Sequence, residues 1–119
     1  MNYRLLSRAS DAAVVILDGD FDALGAGAVR PAFEELVVEG ETDVVVDLSG
    51  VRFMDSSGIG ALVFLYKRLV AAGRGLELVG LEGQPLELVS LLRVDKAIPV
   101  NRRALVFPAA TVASGGMPA

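Results

Sequence analysis

The chain has no cysteine and no histidine among its 119 residues. Without cysteine there is no disulfide framework, no thiol nucleophile and no thiolate metal site. The absence fits a reducing compartment. Without histidine the commonest general base and metal ligand are missing, and no Ser-His-Asp arrangement is available within the chain. Basic residues are in the minority, 11 against 15 acidic, for a net charge of −4. An acidic domain without a basic stripe is a poor nucleic-acid binder, because phosphate neutralisation supplies most non-specific affinity. No run of about 18 apolar residues exists, so no membrane-spanning helix is expected. Arg4 and Arg8 interrupt a start that lacks the apolar segment of a signal peptide. The expected location is cytoplasmic.

What is present is a well-filled single domain. Hydrophobic residues make up 53% of the chain. A domain of this length buries roughly two thirds of its unfolded surface and needs no staple. Its organising stretch runs from Val44 to Leu62. Asp43 to Leu48 reads as a strand, with Val44, Val45, Val46 and Leu48 in six residues. Ser49-Gly50 turns the chain, and Val51 to Phe53 is a short extended piece. Asp55-Ser56-Ser57-Gly58 follows, where the first turn of a helix is expected. Asp and Ser cap helices because their oxygens accept from the free N–H groups of that turn. Two hydroxyls and a carboxylate therefore stand where the carboxyl end of a strand meets a helix N-terminus. In open parallel sheets that edge is where ligands and partners bind.

The remaining chain alternates strand and helix patterns. Tyr3 to Arg8 is an expected edge strand, and Ala12 to Asp18 a stronger strand. Gly19 to Asp22 turns the chain, with Asp22 placed to cap the next helix. That helix lies between Ala23 and Glu39, with Leu24, Ala28, Phe33, Leu36 and Val37 on its expected buried face. Pro31 either kinks it or begins its firm part. A second helix is expected from Ser57 to about Ala72, burying Ile59, Leu62, Val63, Tyr66, Leu69 and Val70. Phe64 falls off that stripe, near Lys67 and Arg68. Leu76 to Val79 reads as a strand, parallel to Asp43–Leu48 through a right-handed crossover. Leu86 to Leu92 reads as a short helix, with Leu86, Leu88, Val89 and Leu92 as its apolar contacts. Ala97 to Val100 reads as a last strand, at an edge because of Pro99. Arg102 to Phe107 is expected to add a turn or two of helix. The pattern predicts an α/β fold of four or five strands, with helices covering one face better than the other. The domain is expected over residues 1–108, and 109–119 as a loose tail.

Catalysis finds little support. Gly58-Ile59-Gly60 lacks the third glycine of a dinucleotide fingerprint, since Val63 stands there. No Gly-Lys-Ser or Gly-Lys-Thr exists. Ser56 has no base to activate it. Asp20, Asp22 and Asp55 offer carboxylate pairs for a divalent cation or acid–base work, but turn and cap roles explain them more simply. No metal or cofactor is expected. A serine at an exposed helix start suits a different chemistry, that of a kinase substrate. A phosphate there adds about −1.5 to −2 charges. The helix N-terminus favours it, while Asp55, Asp20 and Asp22 repel it. A partner docked over the site would meet new bulk and charge at its centre. The plainer alternative is a pair of capping serines.

The same residues carry a family resemblance. Val44 to Val51, then Phe53-Met54-Asp55-Ser56-Ser57-Gly58-Ile59-Gly60, resembles the signature of STAS domains, and more narrowly of the bacterial anti-sigma factor antagonists. Leu17 to Asp22 resembles their second strand and turn, and Asp95 to Val100 their segment before the last strand. The resemblance covers roughly residues 12 to 100. It implies a small STAS-like sandwich with a mostly parallel sheet. It implies a non-enzymatic protein whose unphosphorylated form binds an anti-sigma factor serine kinase and frees the sigma factor. The kinase would phosphorylate Ser56 and a PP2C-type phosphatase would reverse it. Asp22, Asp55, Ser57 and Gly58 match the motif positions around that serine. Asp20, Ile59, Phe64 and Arg68 join them as expected partner contacts. Nucleic acid and membrane are not expected partners, and the state is a monomer or weak homodimer. The chain departs from the family at Pro31 and at its end, where Asn101 to Pro108 leaves little room for the usual last helix. A different class of reading is a non-catalytic subunit of a stress-sensing assembly or transport system.

Overall fold

The computed structural model describes residues 1–7 and 12–101. Five strands form one sheet in the order β1-β2-β3-β4-β5. They are β1 (Asn2–Ser7), β2 (Ala12–Asp18), β3 (Asp43–Gly50), β4 (Leu76–Val79) and β5 (Val100–Asn101). The β1–β2 pair is antiparallel, and every other pair is parallel. Helices α1 (Ala23–Glu39), α2 (Ser56–Ala71) and α3 (Gly83–Leu91) each connect two parallel strands. Each crossover steps the same way along the sheet, so right-handed connections put all three helices on one face.

The core lies between that face and the helices. Val15 and Leu17 of β2, Val44, Val46 and Leu48 of β3, and Leu76 and Leu78 of β4 point into it. They meet Val29 and Phe33 of α1, Leu62, Leu65 and Leu69 of α2, and Val89 of α3. Side chains one residue out of step lie on the second face, where Ile16, Val45 and Glu77 are half-buried and Val14, Asp47 and Val79 are buried.

Several expected details differ. Leu24 is 86% exposed and Ala28 is also exposed. Phe33 is buried as expected, Leu36 and Val37 are half-buried against the core, and Gly25, Val29 and Ala32 complete that face. The cause is Gly25, where a Cβ would strike the carbonyl oxygen of Asp20. That close approach turns Gly25 inward and Leu24 outward. Helix α1 runs unbroken through Pro31, so a late start is excluded. The Pro31 ring is exposed, where it obstructs no packing. Helix α2 begins at Ser56, with Asp55 as its N-cap. Leu65 is fully buried in it, while Val70 is 49% exposed. Helix α3 starts earlier than expected, and Leu92 falls outside it, half-exposed. A 3₁₀ turn, Val94–Lys96, precedes β5, which is shorter and later than Ala97 to Val100. The helical turns expected in Arg102 to Phe107 and the tail at 109–119 lie outside the described residues.

Candidate functional site

The loops leading into α1 and α2 are stitched together. Gly19 N–H donates to Gly50 C=O at 3.1 Å, and Phe21 N–H to Phe53 C=O at 2.9 Å. Asp55 N–H returns to Phe21 C=O at 3.3 Å. Phe21 and Met54 form an isolated parallel bridge, and both side chains are fully buried. The sheet thus extends by one residue pair past its strands. Asp22 and Asp55 follow directly, so the two helices start side by side at the carboxyl edge of the sheet.

Each aspartate caps its own helix. Asp22 Oδ1 accepts from Gly25 N–H at 2.9 Å, and Asp55 Oδ1 from Ser57 N–H at 2.8 Å. The α2 ladder begins with Ile59 N–H to Asp55 C=O at 3.1 Å. The N–H groups of Ser56 and Gly58 precede that ladder and stand at the positive end of the helix dipole. Ser56 is the first helical residue and is exposed. Ser57 is half-buried and turns toward α1.

The other expected contacts fall into two groups. Asp20 is exposed beside the seam, and Arg68 is exposed on α2. Phe64 is half-buried between α1 and α2, with the Arg30 guanidinium 4.8 Å and the Arg68 guanidinium 5.4 Å from its ring centroid. Gly58 and Ile59 are buried, with Ile59 8% exposed. A Cβ at Gly58 would run into the Phe21 carbonyl oxygen and the side chains of Phe21 and Met54. Glycine there is what lets the two loops touch.

Sequence reasoning missed Gln84. From the first turn of α3 its amide spans the backbone of Met54. Met54 N–H donates to Gln84 Oε1 at 2.8 Å, and Gln84 Nε2 donates to Met54 C=O at 2.8 Å. A lone glutamine thirty residues downstream has no pattern that marks this role. The carboxyl end of β3 is also locked. Asp47 Oδ1 accepts from the Ser49 N–H at 2.9 Å and the Ser49 hydroxyl at 2.6 Å. Ser56 therefore stands on a backbone braced from three sides: the Phe21 loop, the Asp55 cap and Gln84. Such a site can present one hydroxyl in a fixed position to a macromolecule.

Comparison with known proteins agrees with this arrangement. The family model described as "Mlab, STAS domain" matches residues 5–106. The chain is 27% identical over 101 residues to the anti-sigma-B factor antagonist of Listeria monocytogenes, covering 85% of this chain and 89% of that one. It resembles the crystal structure of an anti-sigma factor antagonist from Mycobacterium paratuberculosis, with a TM-score of 0.74 and 26% identity over 82% of this chain and 83% of that chain. The fold also matches unphosphorylated SpoIIAA, an anti-sigma factor antagonist, with a TM-score of 0.68 and 20% identity over 87% of this chain and 90% of that chain. The murine anion transporter Slc26a9 contains a similar fold, at a TM-score of 0.70 and 18% identity, matching 87% of this chain but 21% of that chain. The seam, the capped serine pair and these matches together place the chain in the STAS domain family, among relatives that include bacterial anti-sigma factor antagonists.

Proposed function

We propose that this chain is an anti-sigma factor antagonist switched by phosphorylation of Ser56. The unphosphorylated form binds an anti-sigma factor serine kinase and frees the sigma factor. The kinase then transfers the γ-phosphoryl group of ATP to Ser56 Oγ, which loses its proton, and ADP departs. A PP2C-type phosphatase restores the hydroxyl. The observation that carries this reading is the exposed Ser56 at the first position of α2, fixed by the Asp55 cap and the seam. The relatives from Listeria monocytogenes and Mycobacterium paratuberculosis are antagonists by description, which supports it.

The physical logic of the switch is local. Phosphate at a helix N-terminus is favoured by the unpaired N–H groups and the dipole. The fold therefore tolerates it, and the change is felt by the partner. Asp55 and Asp20 already make this edge acidic, so the added charge deepens a negative patch. Like-charge juxtaposition at an interface costs several kcal/mol, and each 1.4 kcal/mol is about tenfold in affinity. Asp20, Asp55, Ser57, Phe64 and Arg68 serve as contacts, while Asp22, Gly58 and Ile59 hold the surface in shape. The protein acts in the cytoplasm as a monomer or weak homodimer.

The test incubates the purified chain with ATP and each anti-sigma-type serine kinase of its genome. Intact mass and peptide mapping should show one phosphate, on Ser56, absent from Ser56→Ala and retained in Ser57→Ala. Tight binding without phosphate would make the chain a constitutive binder. Neither binding nor phosphate with any kinase would move the assignment to a non-catalytic subunit of a stress-sensing assembly or transport system.

A further inference from the structure

The helices account for one face of the sheet, and the other face also holds buried apolar side chains. Leu6 of β1, Val14 of β2 and Val79 of β4 are 4%, 0% and 0% exposed. None of the three belongs to the core beneath the helices. Leu6 pairs with Val14 across the β1–β2 ladder, so both side chains point to the same side. Val14 alternates with Val15, and Val79 with Leu78, and those neighbours face the helices. The three residues therefore share the second face. A valine on an open sheet face keeps part of its surface in water, because nothing stands above it. Val14 and Val79 keep none. Parallel sheets are ordinarily covered on both faces, and four of these five strands are in parallel pairs.

The burial is complete within one chain, so no second copy is needed to produce it. Helices α1, α2 and α3 lie on the opposite face, and Met1 packs against the core beneath them. Two stretches lie outside the described residues, 8–11 and 102–119. The first is Arg8-Ala9-Ser10-Asp11, which has no large apolar side chain. The second holds Leu105-Val106-Phe107 and follows directly on β5, the edge strand beside β4. From β5 to β2 is three strand spacings, about 14 Å. Arg102 to Phe107 reaches up to about 20 Å when extended. The cover is also narrow. Ile16, Val45 and Glu77 on the same face are only half-buried, as a single crossing segment would leave them and a docked subunit would not.

We propose that the segment after β5 crosses back over the second face of the sheet and closes it. Leu105 lies over Val79, and Phe107 lies over Leu6 and Val14. The order suits the chain, since β4 is met before β2 on leaving β5. The contact is a second, smaller core on the side of the sheet away from the helices. It also takes out of solvent an apolar patch through which copies of the chain would otherwise associate. The proposal is independent of the role given to Ser56.

The test is nuclear magnetic resonance on the full chain, which needs no substitution. Nuclear Overhauser contacts are sought between the Phe107 ring and the methyl groups of Leu6 and Val14, and between Leu105 and Val79. An equal mixture of labelled and unlabelled protein separates contacts within a chain from contacts between chains. Contacts within one chain, with the Val14 and Val79 methyls protected from a soluble gadolinium probe, are expected. Contacts found only between copies would overturn the proposal and make the face a self-association surface. So would methyls broadened by the probe with no contact to Leu105 or Phe107. Thermal unfolding gives a second readout. Phe107→Ser should lower the midpoint by several degrees and open Val14 to the probe. An unchanged midpoint and an unchanged Val14 signal would overturn the assignment of Phe107. Each of these outcomes leaves the proposed function standing.

Discussion

Gln84 grips Met54 by both its N–H and its C=O, one residue before the Asp55 cap. Truncating it strands a backbone donor and acceptor at a buried position. Gln84→Ala should therefore lower stability by about 1–3 kcal/mol, read from urea unfolding. The two glycines of α2 should behave oppositely. Gly58→Ala forces a methyl against Phe21 and Met54, and overpacking of this kind costs about 1–3 kcal/mol. Gly60→Ala meets only open space and should gain about 1 kcal/mol from helix propensity. Urea midpoints that move the same way for both would contradict the packing described. Identity alone does not separate these glycines, because both stand in the same Gly-x-Gly. Only the approach of the Phe21 loop distinguishes them.

The elements stand or fall with their ends. Asp55 takes the Ser57 N–H, and removing a cap of this type costs about 1 kcal/mol. Asp55→Ala should lose that amount by chemical denaturation. It should also loosen the first turn of α2, seen as faster amide exchange at Ser57 and Gly58 than in wild type. The opposite sign is expected for α1. Pro31 stands inside that helix and cannot donate to the Gly27 carbonyl. Its side chain is exposed, so Pro31→Ala removes a helix fault without opening a cavity. A gain of about 1–3 kcal/mol is expected, and a loss would show that the proline shapes α1 in a way the fold requires.

The molecule is tied together across its layers by Arg74, which is 8% exposed. Its Nε donates to Thr42 C=O at 2.7 Å, its Nη1 to Val37 C=O at 3.2 Å and its Nη2 to Leu36 C=O at 3.0 Å. One guanidinium thus caps the C-terminal carbonyls of α1 and holds the loop into β3. Position and charge also suit the negative end of the helix dipole. Arg74→Met keeps the aliphatic stem but removes the donor to the Thr42 and Val37 carbonyls and leaves Leu36 C=O only the Gly40 N–H. It should cost about 3 kcal/mol, a large share of the roughly 5–15 kcal/mol that holds a domain together. Thermal unfolding of the variant checks this. A small shift would mean that solvent replaces the guanidinium. No described helix is long and apolar enough to cross a membrane.

Much of this architecture is legible in local pattern. The valine run of β3, the bounds of β2 and β4 and the stop at Gly40 follow from propensity and turn chemistry that act within a few residues. Asp22 and Asp55 as caps, and Ser56 at an exposed helix start, follow from the same short-range chemistry. The misses share one physical cause, which is contact between residues far apart in the chain. Leu24 turns outward because Gly25 must pass the Asp20 backbone. Phe64 is half-buried because α1 lies beside it. Gln84 and Arg74 act on carbonyls and amides some thirty residues or more away. The sequence by itself determined the elements, their order and the serine that one helix presents. The tertiary structure decided which face of each helix is buried and what braces Ser56, because each depends on how separate elements approach in space.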